Sequence, residues 1–180
     1  MHDVPVIGIH GRARAGKDTV ANFILAHRGG YIYSFADPIR KMLVPLGIDM
    51  GDPYWQARKE QVIPALGVSP RRLMQTLGTE WGRQLINPDL WLILAKQLLL
   101  NYGPGMVIAD VRFENEAAWV REQGGRVIHI ERPDNAAIEA HASEAGIVFK
   151  GEEGDIKIVN GGSLEDLQQT IRAVFDVSKT

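Results

Sequence analysis

Near the N-terminus, a glycine-rich loop carries the residue types and the spacing that bind phosphate. It matches G-x-x-x-x-G-K, in which glycines let backbone N–H groups point at phosphate oxygens and the lysine reaches the β- and γ-phosphates. The loop lies between an apolar run and a helical pattern, the context that this motif requires. We expect it to bind ATP, with Lys17 as a catalytic residue; the alternative is a strand–helix turn without a ligand. The residues of the loop are Gly11, Arg12, Ala13, Arg14, Ala15, Gly16, Lys17, Asp18 and Thr19.

The loop departs from the usual pattern directly after its lysine. Asp18 stands where a serine or threonine usually holds Mg²⁺, and Thr19 follows it. A carboxylate is a hard oxygen ligand that can hold this metal directly or through water. We therefore predict Mg²⁺ as the cofactor, with Asp18 as a metal ligand and Thr19 as a phosphate contact. The alternative for Asp18 is a first-turn acid that the helix dipole favours.

A second pair of candidate residues follows an apolar run that begins at Val107. Asp110 ends this run, and Arg112 comes two residues later. An acid at the end of such a strand can hold Mg²⁺ through water, and the carboxyl edge of a parallel sheet is where ligands bind. We predict Asp110 as a metal ligand and Arg112 as a catalytic and acceptor-binding residue. Asp110 could instead cap the next helix.

Arg132 directly follows another apolar run and is the third predicted catalytic residue. In small-molecule kinases a mobile segment closes over the reacting phosphates and supplies arginines to the transition state. The alternative interpretation, to which we give equal weight, is that Arg132 is a solvated loop arginine. His141 and Glu144 lack a third partner for a metal, so a helix cap or a lid contact is the favoured interpretation for them.

A set of polar and aromatic residues is concentrated between positions 37 and 112. Arginine binds a monophosphate through paired hydrogen bonds, an amide can read a base edge, and a tryptophan ring can stack on a base. Any one of these residues could be structural, and the acid at position 37 could be an N-cap before a proline. As a set they predict an acceptor site: Asp37, Arg40, Arg72, Gln75, Thr76, Thr79, Trp81, Arg83, Trp91 and Arg112.

Short apolar runs and helical patterns alternate along most of the chain and must position these residues. Alternation of this kind predicts an α/β, three-layer P-loop NTPase fold with a parallel five-stranded sheet. The predicted strands are Val4 to Ile9, Tyr31 to Phe35, Met106 to Ala109, Val127 to Glu131 and Ile156 to Val159. The predicted helices are Ala15 to His27, Pro38 to Leu46, Pro70 to Ile86, Pro88 to Asn101, Glu114 to Gln123 and Ser163 to Val174.

The same alternation predicts a single domain over residues 1–180 with two insertions. The core comprises residues 1–36, 102–131 and 156–180. A helical acceptor-binding insertion occupies residues 37–101, and a short lid occupies residues 132–155.

Composition excludes several classes of function. The formal net charge is -2, so no global positive field attracts nucleic acid or an anionic membrane. The chain has no cysteine, which excludes disulfides and thiolate chemistry. Its first residues lack a basic n-region and Leu90 to Leu100 is too short to span a bilayer, so we expect a cytoplasmic protein.

In these motifs the chain resembles the deoxynucleoside monophosphate kinases of tailed bacteriophages, a family of P-loop nucleotide kinases. The aspartate after the loop lysine is itself a feature of that family. The matching segments are Gly16 to Thr19, Arg71 to Thr79, Asp110 to Arg112, Val127 to His129 with Arg132-Pro133, His141 to Gly146, and Asp155 through Asn160 to Leu164.

The resemblance implies ATP or dATP as the donor and deoxynucleoside 5′-monophosphates as acceptors, which become diphosphates. It also implies a nucleotide-kinase fold with an acceptor insertion and a lid, the host cytoplasm as location for a phage-encoded enzyme, and a homodimer as one assembly. Two alternatives stay open. One is a P-loop kinase for another small acceptor, such as dephospho-coenzyme A or phosphomevalonate. The other is a nucleotide-dependent switch, motor or binding module, although the Asn-Lys-x-Asp motif of GTPases is absent.

Overall fold

The computed structural model describes residues 6–133 and 146–176. Within them, five strands form one sheet in which every pairing is parallel, in the order β2-β3-β1-β4-β5. This confirms the predicted fold class, and each predicted strand is present. The strands are β1 Val6–His10, β2 Tyr31–Tyr33, β3 Met106–Ile108, β4 Arg126–Glu131 and β5 Ile156–Val159.

Helices cover both faces of the sheet, which is why its strands are apolar along nearly their whole length. Ile9 packs in one core with Val20 and Ile171, which come from helices on the same face. On the other face, the Cα of Gly8 lies so close to Val120 that an added Cβ would be 3.2 Å from its Cγ2 atom. The α-helices are α1 Lys17–Arg28, α2 Asp37–Leu43, α3 Pro53–Ala57, α4 Pro70–Gln75, α5 Leu90–Tyr102, α6 Glu114–Glu122 and α7 Leu164–Asp176.

The chain divides into two compact units. One comprises Met1–Ser34 together with Leu98–Thr180, and the other comprises Phe35–Gln97. The second unit has its own small core, in which Leu43, Ile48 and Met50 are buried. In the described chain this unit has no strand, only an isolated bridge between Ile63 and Val68.

The predicted continuous helix from Pro70 to Ile86 is wrong in one respect. It is α-helical only to Gln75 and continues as a π-helix over Thr76–Ile86. Trp91 explains the wide turns, because its Nε1 atom donates to the Gly78 carbonyl at 2.7 Å. A Cβ at Gly82 would lie 2.5 Å from Trp91 Cζ2, so the indole packs directly on the backbone of the π-helix.

Two short elements, α3 and the 3₁₀ turn Gly151–Glu153, had no clear signal in the sequence. The predicted helix Pro38 to Leu46 is present as α2, which ends in a 3₁₀ turn over Val44–Leu46. None of the helices in the described ranges is both long and apolar enough to cross a membrane. The middle of the predicted lid, including His141 and Glu144, lies outside the described residues.

Candidate active site

The glycine-rich loop connects β1 directly to α1 at the carboxyl edge of the sheet. Two of its residues have positive φ: Arg14 at 62° and Gly16 at 103°. The left-handed region is costly for arginine and open to glycine. A strained non-glycine residue in a tight loop is typical of a functional site, because the surrounding structure has to hold it there.

The loop packs tightly against the ends of β4 and β5. A Cβ at Gly11 would lie 2.5 Å from the Ile130 carbonyl oxygen, which leaves no room for any side chain. Ala15 is 1% exposed. Its carbonyl accepts a hydrogen bond of 2.9 Å from Nδ2 of Asn160, the residue after β5. The glycines of the motif therefore allow close approach to the sheet as well as a tight turn.

Lys17 folds back over its own loop. Its Nζ atom donates to the carbonyls of Gly11 at 2.8 Å and Arg12 at 2.7 Å. The amine is thus held beside the loop, within reach of a phosphate that the loop would bind. The side chain is only partly buried, so its charge stays accessible to an anionic ligand.

The first turn of α1 presents Asp18 and Thr19. The first helical hydrogen bond runs from Val20 N to Gly16 O at 3.1 Å, so the N–H groups of Asp18 and Thr19 have no intrahelical acceptor. Asp18 is exposed and Thr19 is partly buried. Orphan N–H groups beside a lysine are suited to bind an anion.

Asp110 follows β3 and is partly buried at the same edge of the sheet. Its Oδ2 atom accepts a hydrogen bond of 2.6 Å from Ser34 Oγ, the residue after β2. The hydroxyl therefore orients the carboxylate. The sequence singled out Asp110 but gave no signal for Ser34, because an isolated serine is common at the end of a strand.

The cap of α6 comes from Glu116 rather than from Asp110. The buried Glu116 carboxylate accepts hydrogen bonds from the backbone N–H groups of Arg112 at 2.8 Å and Phe113 at 3.1 Å. These bonds fix the backbone from which the exposed Arg112 side chain extends. Arg132, directly after β4, is also exposed.

Asp18 and Asp110 both belong to the unit that contains the sheet, and their carboxylates are candidate oxygen ligands for Mg²⁺. Across the described ranges, no group of three or more His, Cys, Asp or Glu side chains could hold a metal ion. Mg²⁺ usually takes one or two carboxylates and completes its shell with water and substrate phosphates, so the oxygen donors of Asp18 and Asp110 are chemically suited to it. The residues present therefore fit a metal that arrives with a nucleotide.

His10, the last residue of β1, is a neighbour of this site that sequence reasoning missed. Its Nδ1 atom is 3.0 Å from the Val111 carbonyl oxygen, so Nδ1 carries the proton and donates. Burial lowers the pKa of His10, the bond to Val111 opposes this, and the charges of His129, Lys17 and Arg112 lower it further. His10 is therefore a neutral imidazole that adds no positive charge beside the loop.

A second network that the sequence did not reveal is centred on Asp155, whose side chain is fully buried. The Asp155 carboxylate accepts from Arg121, from His129 Nε2 at 3.0 Å and from the Lys150 N–H at 2.9 Å. Burial alone raises the pKa of Asp155, but the hydrogen bonds from Arg121, Lys150 and His129 together lower it. The His129 ring also meets the His10 ring edge-on, with centroids 5.3 Å apart.

The predicted acceptor residues, apart from Arg112, lie in the unit Phe35–Gln97. Asp37 and Arg40 form an ion pair of 2.6 Å there, and Arg72 pairs with Glu80 at 2.9 Å. Arg83 donates to the Pro88 carbonyl at 3.2 Å. Gln75, Thr76 and Thr79 are partly buried around the start of the π-helix.

The two predicted stacking tryptophans differ. Trp81 is 37% exposed and its ring is available at the surface of this unit. Trp91 is 2% exposed, and its indole packs on the π-helix as described above. Trp91 is thus a core residue of the unit in this structure. This agrees with the alternative interpretation, in which a residue of the predicted acceptor set has a structural role.

Comparison with known proteins identifies relatives of one kind. Residues 56–171, more than half of the chain, match the family model described as deoxynucleotide monophosphate kinase. A protein of Escherichia phage T5 named deoxynucleoside-5′-monophosphate kinase is 28% identical, over 65% of this chain and 72% of that protein. The deoxynucleotide monophosphate kinase of Escherichia phage RB69 is 36% identical, over 59% of this chain and 45% of that protein.

A mimivirus protein with a provisional name of the same kind is 29% identical and matches nearly end to end, over 95% of this chain and 96% of that protein. Among solved structures, a sugar kinase from Janibacter has a TM-score of 0.52 at 14% identity, covering 96% of this chain and 95% of that one. Dephospho-CoA kinase from Campylobacter jejuni has a TM-score of 0.50 at 15% identity, covering 97% of this chain and 98% of that one. At these identities the likeness establishes a P-loop kinase fold.

Proposed function

Because this chain belongs to the deoxynucleotide monophosphate kinase family, we propose that it transfers the γ-phosphoryl group of ATP or dATP to deoxynucleoside 5′-monophosphates. The products are the corresponding diphosphate and ADP or dADP. The observation that carries this proposal, beside the family, is the loop Gly11 to Thr19 with Lys17 Nζ held 2.8 Å from the Gly11 carbonyl. This arrangement supports a triphosphate lying along the loop with the amine beside its outer phosphates.

The transfer is direct and in line, without a covalent intermediate on the protein. Lys17 binds the outer phosphates and neutralises charge that spreads over the transferred group. Arg112 and Arg132 are exposed at the same edge of the sheet and add further positive charge there. Asp18 and Asp110 would hold Mg²⁺, which would supply electrostatic stabilisation of the polyphosphate.

We assign acceptor binding to residues of the unit Phe35–Gln97, and keep Arg112 of the other unit as a predicted acceptor-binding residue. The arginines of the unit Phe35–Gln97, at positions 40, 72 and 83, suit the acceptor phosphate, and Gln75 suits a base edge. Trp81 offers an exposed ring for stacking. Arg40 and Arg72 are already paired with acids in this structure, so an incoming phosphate has to compete with Asp37 and Glu80 for them.

A screen of acceptors tests this proposal. Purified protein with ATP and Mg²⁺ is assayed for coupled ADP release with each common deoxynucleoside monophosphate, its ribose counterpart, dephospho-coenzyme A and phosphomevalonate. Turnover with at least one deoxynucleoside monophosphate, well above that with the last two acceptors, supports the proposal. Preference for either of those acceptors, or ADP release that no acceptor stimulates, would refute it.

A further inference from the structure

Asn160 lies beside the loop and is not among the residues that take part in the proposed reaction. Its backbone N–H donates to the Glu131 carbonyl at 2.7 Å, which extends the pairing of β4 with β5 by one step. The residue is 9% exposed. Its side-chain Nδ2 donates to the Ala15 carbonyl at 2.9 Å across 145 positions of sequence. A rigid strand end is thereby joined to the glycine-rich loop.

The hydrogen bond from Asn160 determines the direction of a peptide plane inside the loop. In a trans peptide the C=O and the following N–H point in opposite directions. With the Ala15 carbonyl turned towards Asn160, the Gly16 N–H must point away from it. The left-handed φ of Gly16, 103°, is part of the same arrangement.

Gly16 also has to be glycine for this contact to form. A Cβ at position 16 would lie 2.8 Å from Nδ2 of Asn160, closer than a real Cβ approaches other atoms. The asparagine amide therefore occupies the space beside the loop where a side chain would be. Gly16 and Asn160 form a matched pair although they are 144 positions apart in the sequence.

We propose that Asn160 is a positioning residue, which fixes the Ala15–Gly16 peptide so that the Gly16 N–H is aimed at the triphosphate of the donor nucleotide. This inference rests on the proposed function only in taking a triphosphate as the ligand. An amide suits the task better than a carboxylate. The amide donates to the Ala15 carbonyl and brings no negative charge beside the phosphates. An ionised aspartate could not donate and would place a negative charge there.

The test compares the wild type with Asn160→Asp and Asn160→Ala. Asn22 provides a matched control, because its Nδ2 also donates to a backbone carbonyl, that of Asp18, at 2.8 Å but on the exposed side of α1. At about pH 8 we expect Asn160→Ala to weaken ATP binding by about tenfold and Asn160→Asp by more, up to about a hundredfold, as misplaced groups commonly do. Asn22→Asp should stay within about twofold of the wild type.

The pH dependence separates positioning from a merely structural role. At about pH 5.5 a buried carboxyl group at position 160 is largely protonated and can donate to the Ala15 carbonyl. The ratio of Asn160→Asp to wild-type ATP affinity should therefore recover as pH falls, whereas the ratio for Asn160→Ala should not. Equal ratios at both pH values, or ATP binding within twofold of wild type in both variants, would overturn the proposal.

Hydrogen exchange in the nucleotide-free protein gives an answer that does not depend on the reaction. We expect the peptide that contains the loop to exchange faster in both Asn160 variants and at the wild-type rate in Asn22→Asp, with the strands of the sheet unchanged. Unchanged exchange in the loop contradicts the inference. Failure of the wild type to bind ATP while loop exchange responds to Asn160 overturns the proposed ligand alone. If Asn160→Asp does not fold, Asn160→Ala and Asn160→Ser are compared with the wild type in ATP binding and in loop exchange, and wild-type values in both variants would overturn the proposal.

Discussion

Arg121 and Asp155 form a two-point ion pair from which water is excluded. Arg121 Nη2 lies 2.8 Å from Asp155 Oδ2, and Nε lies 3.1 Å from Oδ1. Their side chains are 6% and 0% exposed. Arg121 comes from α6, and Asp155 immediately precedes β5, so the pair ties a helix on one face of the sheet to the approach to its edge strand.

Asp155→Asn should destabilise the protein by about 1–3 kcal/mol, because it removes the fully buried partner of Arg121 and leaves the guanidinium only the half-exposed carboxylates of Glu114 and Glu153. Urea unfolding followed by circular dichroism measures this. Glu131→Gln is the matched control, since Glu131 pairs with Lys157 at 2.9 Å but both side chains are at least half exposed. We expect about 0–1 kcal/mol for the control. An equal loss of unfolding free energy in the two variants would mean that burial adds nothing to the contribution of the Arg121–Asp155 pair.

The neutral His10 predicts a slope of stability with pH. Its pKa is lowered in the fold by burial and by His129, Lys17 and Arg112, so below its ordinary value the unfolded chain binds a proton that the native state does not. Stability is fully present above the ordinary pKa of histidine, about 6.5, and declines as pH falls towards the folded pKa. His10→Asn keeps a donor for the Val111 carbonyl and removes the titration. Its unfolding free energy should decline less between about pH 7 and about pH 5 than that of the wild type.

Lys17→Met should abolish turnover and leave the fold intact. Removing one preorganised positive group from a transition state costs about 10²–10³-fold in kcat, and in the proposed function this lysine also binds the outer phosphates. Steady-state assays of ADP release and a circular dichroism spectrum together test the expectation. Substantial remaining activity would remove Lys17 from the catalytic role assigned to it.

Asp18→Asn should raise the Mg²⁺ concentration that gives half-maximal activity by about tenfold or more, because the proposed metal shell would lose a charged oxygen. Glu165→Gln is the control. Glu165 is likewise an acid in the first turn of a helix, but its helix is α7 rather than α1, the helix that directly follows the glycine-rich loop. Titration of Mg²⁺ at fixed ATP measures the effect. A response of Asp18→Asn that matches the control favours the helix-dipole interpretation.

Gly11→Ala should impair nucleotide binding without a large change in the sheet. The new Cβ would lie 2.5 Å from the Ile130 carbonyl oxygen, so the loop has to move away from β4. Gly161→Ala meets only ordinary contacts, the closest being 3.5 Å from Pro133, and serves as its control. ATP binding by calorimetry, weaker by about tenfold for Gly11→Ala alone, is the expected result. Similar affinities of the two variants would contradict the close contact with β4.

The strands and the glycine-rich loop could be predicted because their signals are local. A buried parallel strand reads as an apolar run, and the loop is defined by residues that are adjacent in sequence. Asp110 was found for the same reason, since it ends such a run. Ser34 and Asn160 were not assigned roles, because their partners Asp110 and Ala15 are 76 and 145 positions away.

The π-helix and the buried network had no local signal either. Thr76–Ile86 has ordinary helical spacing, and its wide turns depend on the distant Trp91 indole. The sequence predicts both Trp81 and Trp91 as rings that can stack on a base, because only packing determines which of the two is buried. The Arg121–Asp155 pair is likewise separated by 34 positions and joins residue types that usually remain at the surface.

The carbonyl oxygens of Gly11 and Arg12 act as internal competitors for Lys17. Both already accept hydrogen bonds from its ammonium group, so they compete with an arriving triphosphate for its three N–H donors. A change that weakens those two hydrogen bonds should therefore increase the affinity for phosphate. A conformation that strengthens them should speed the release of product.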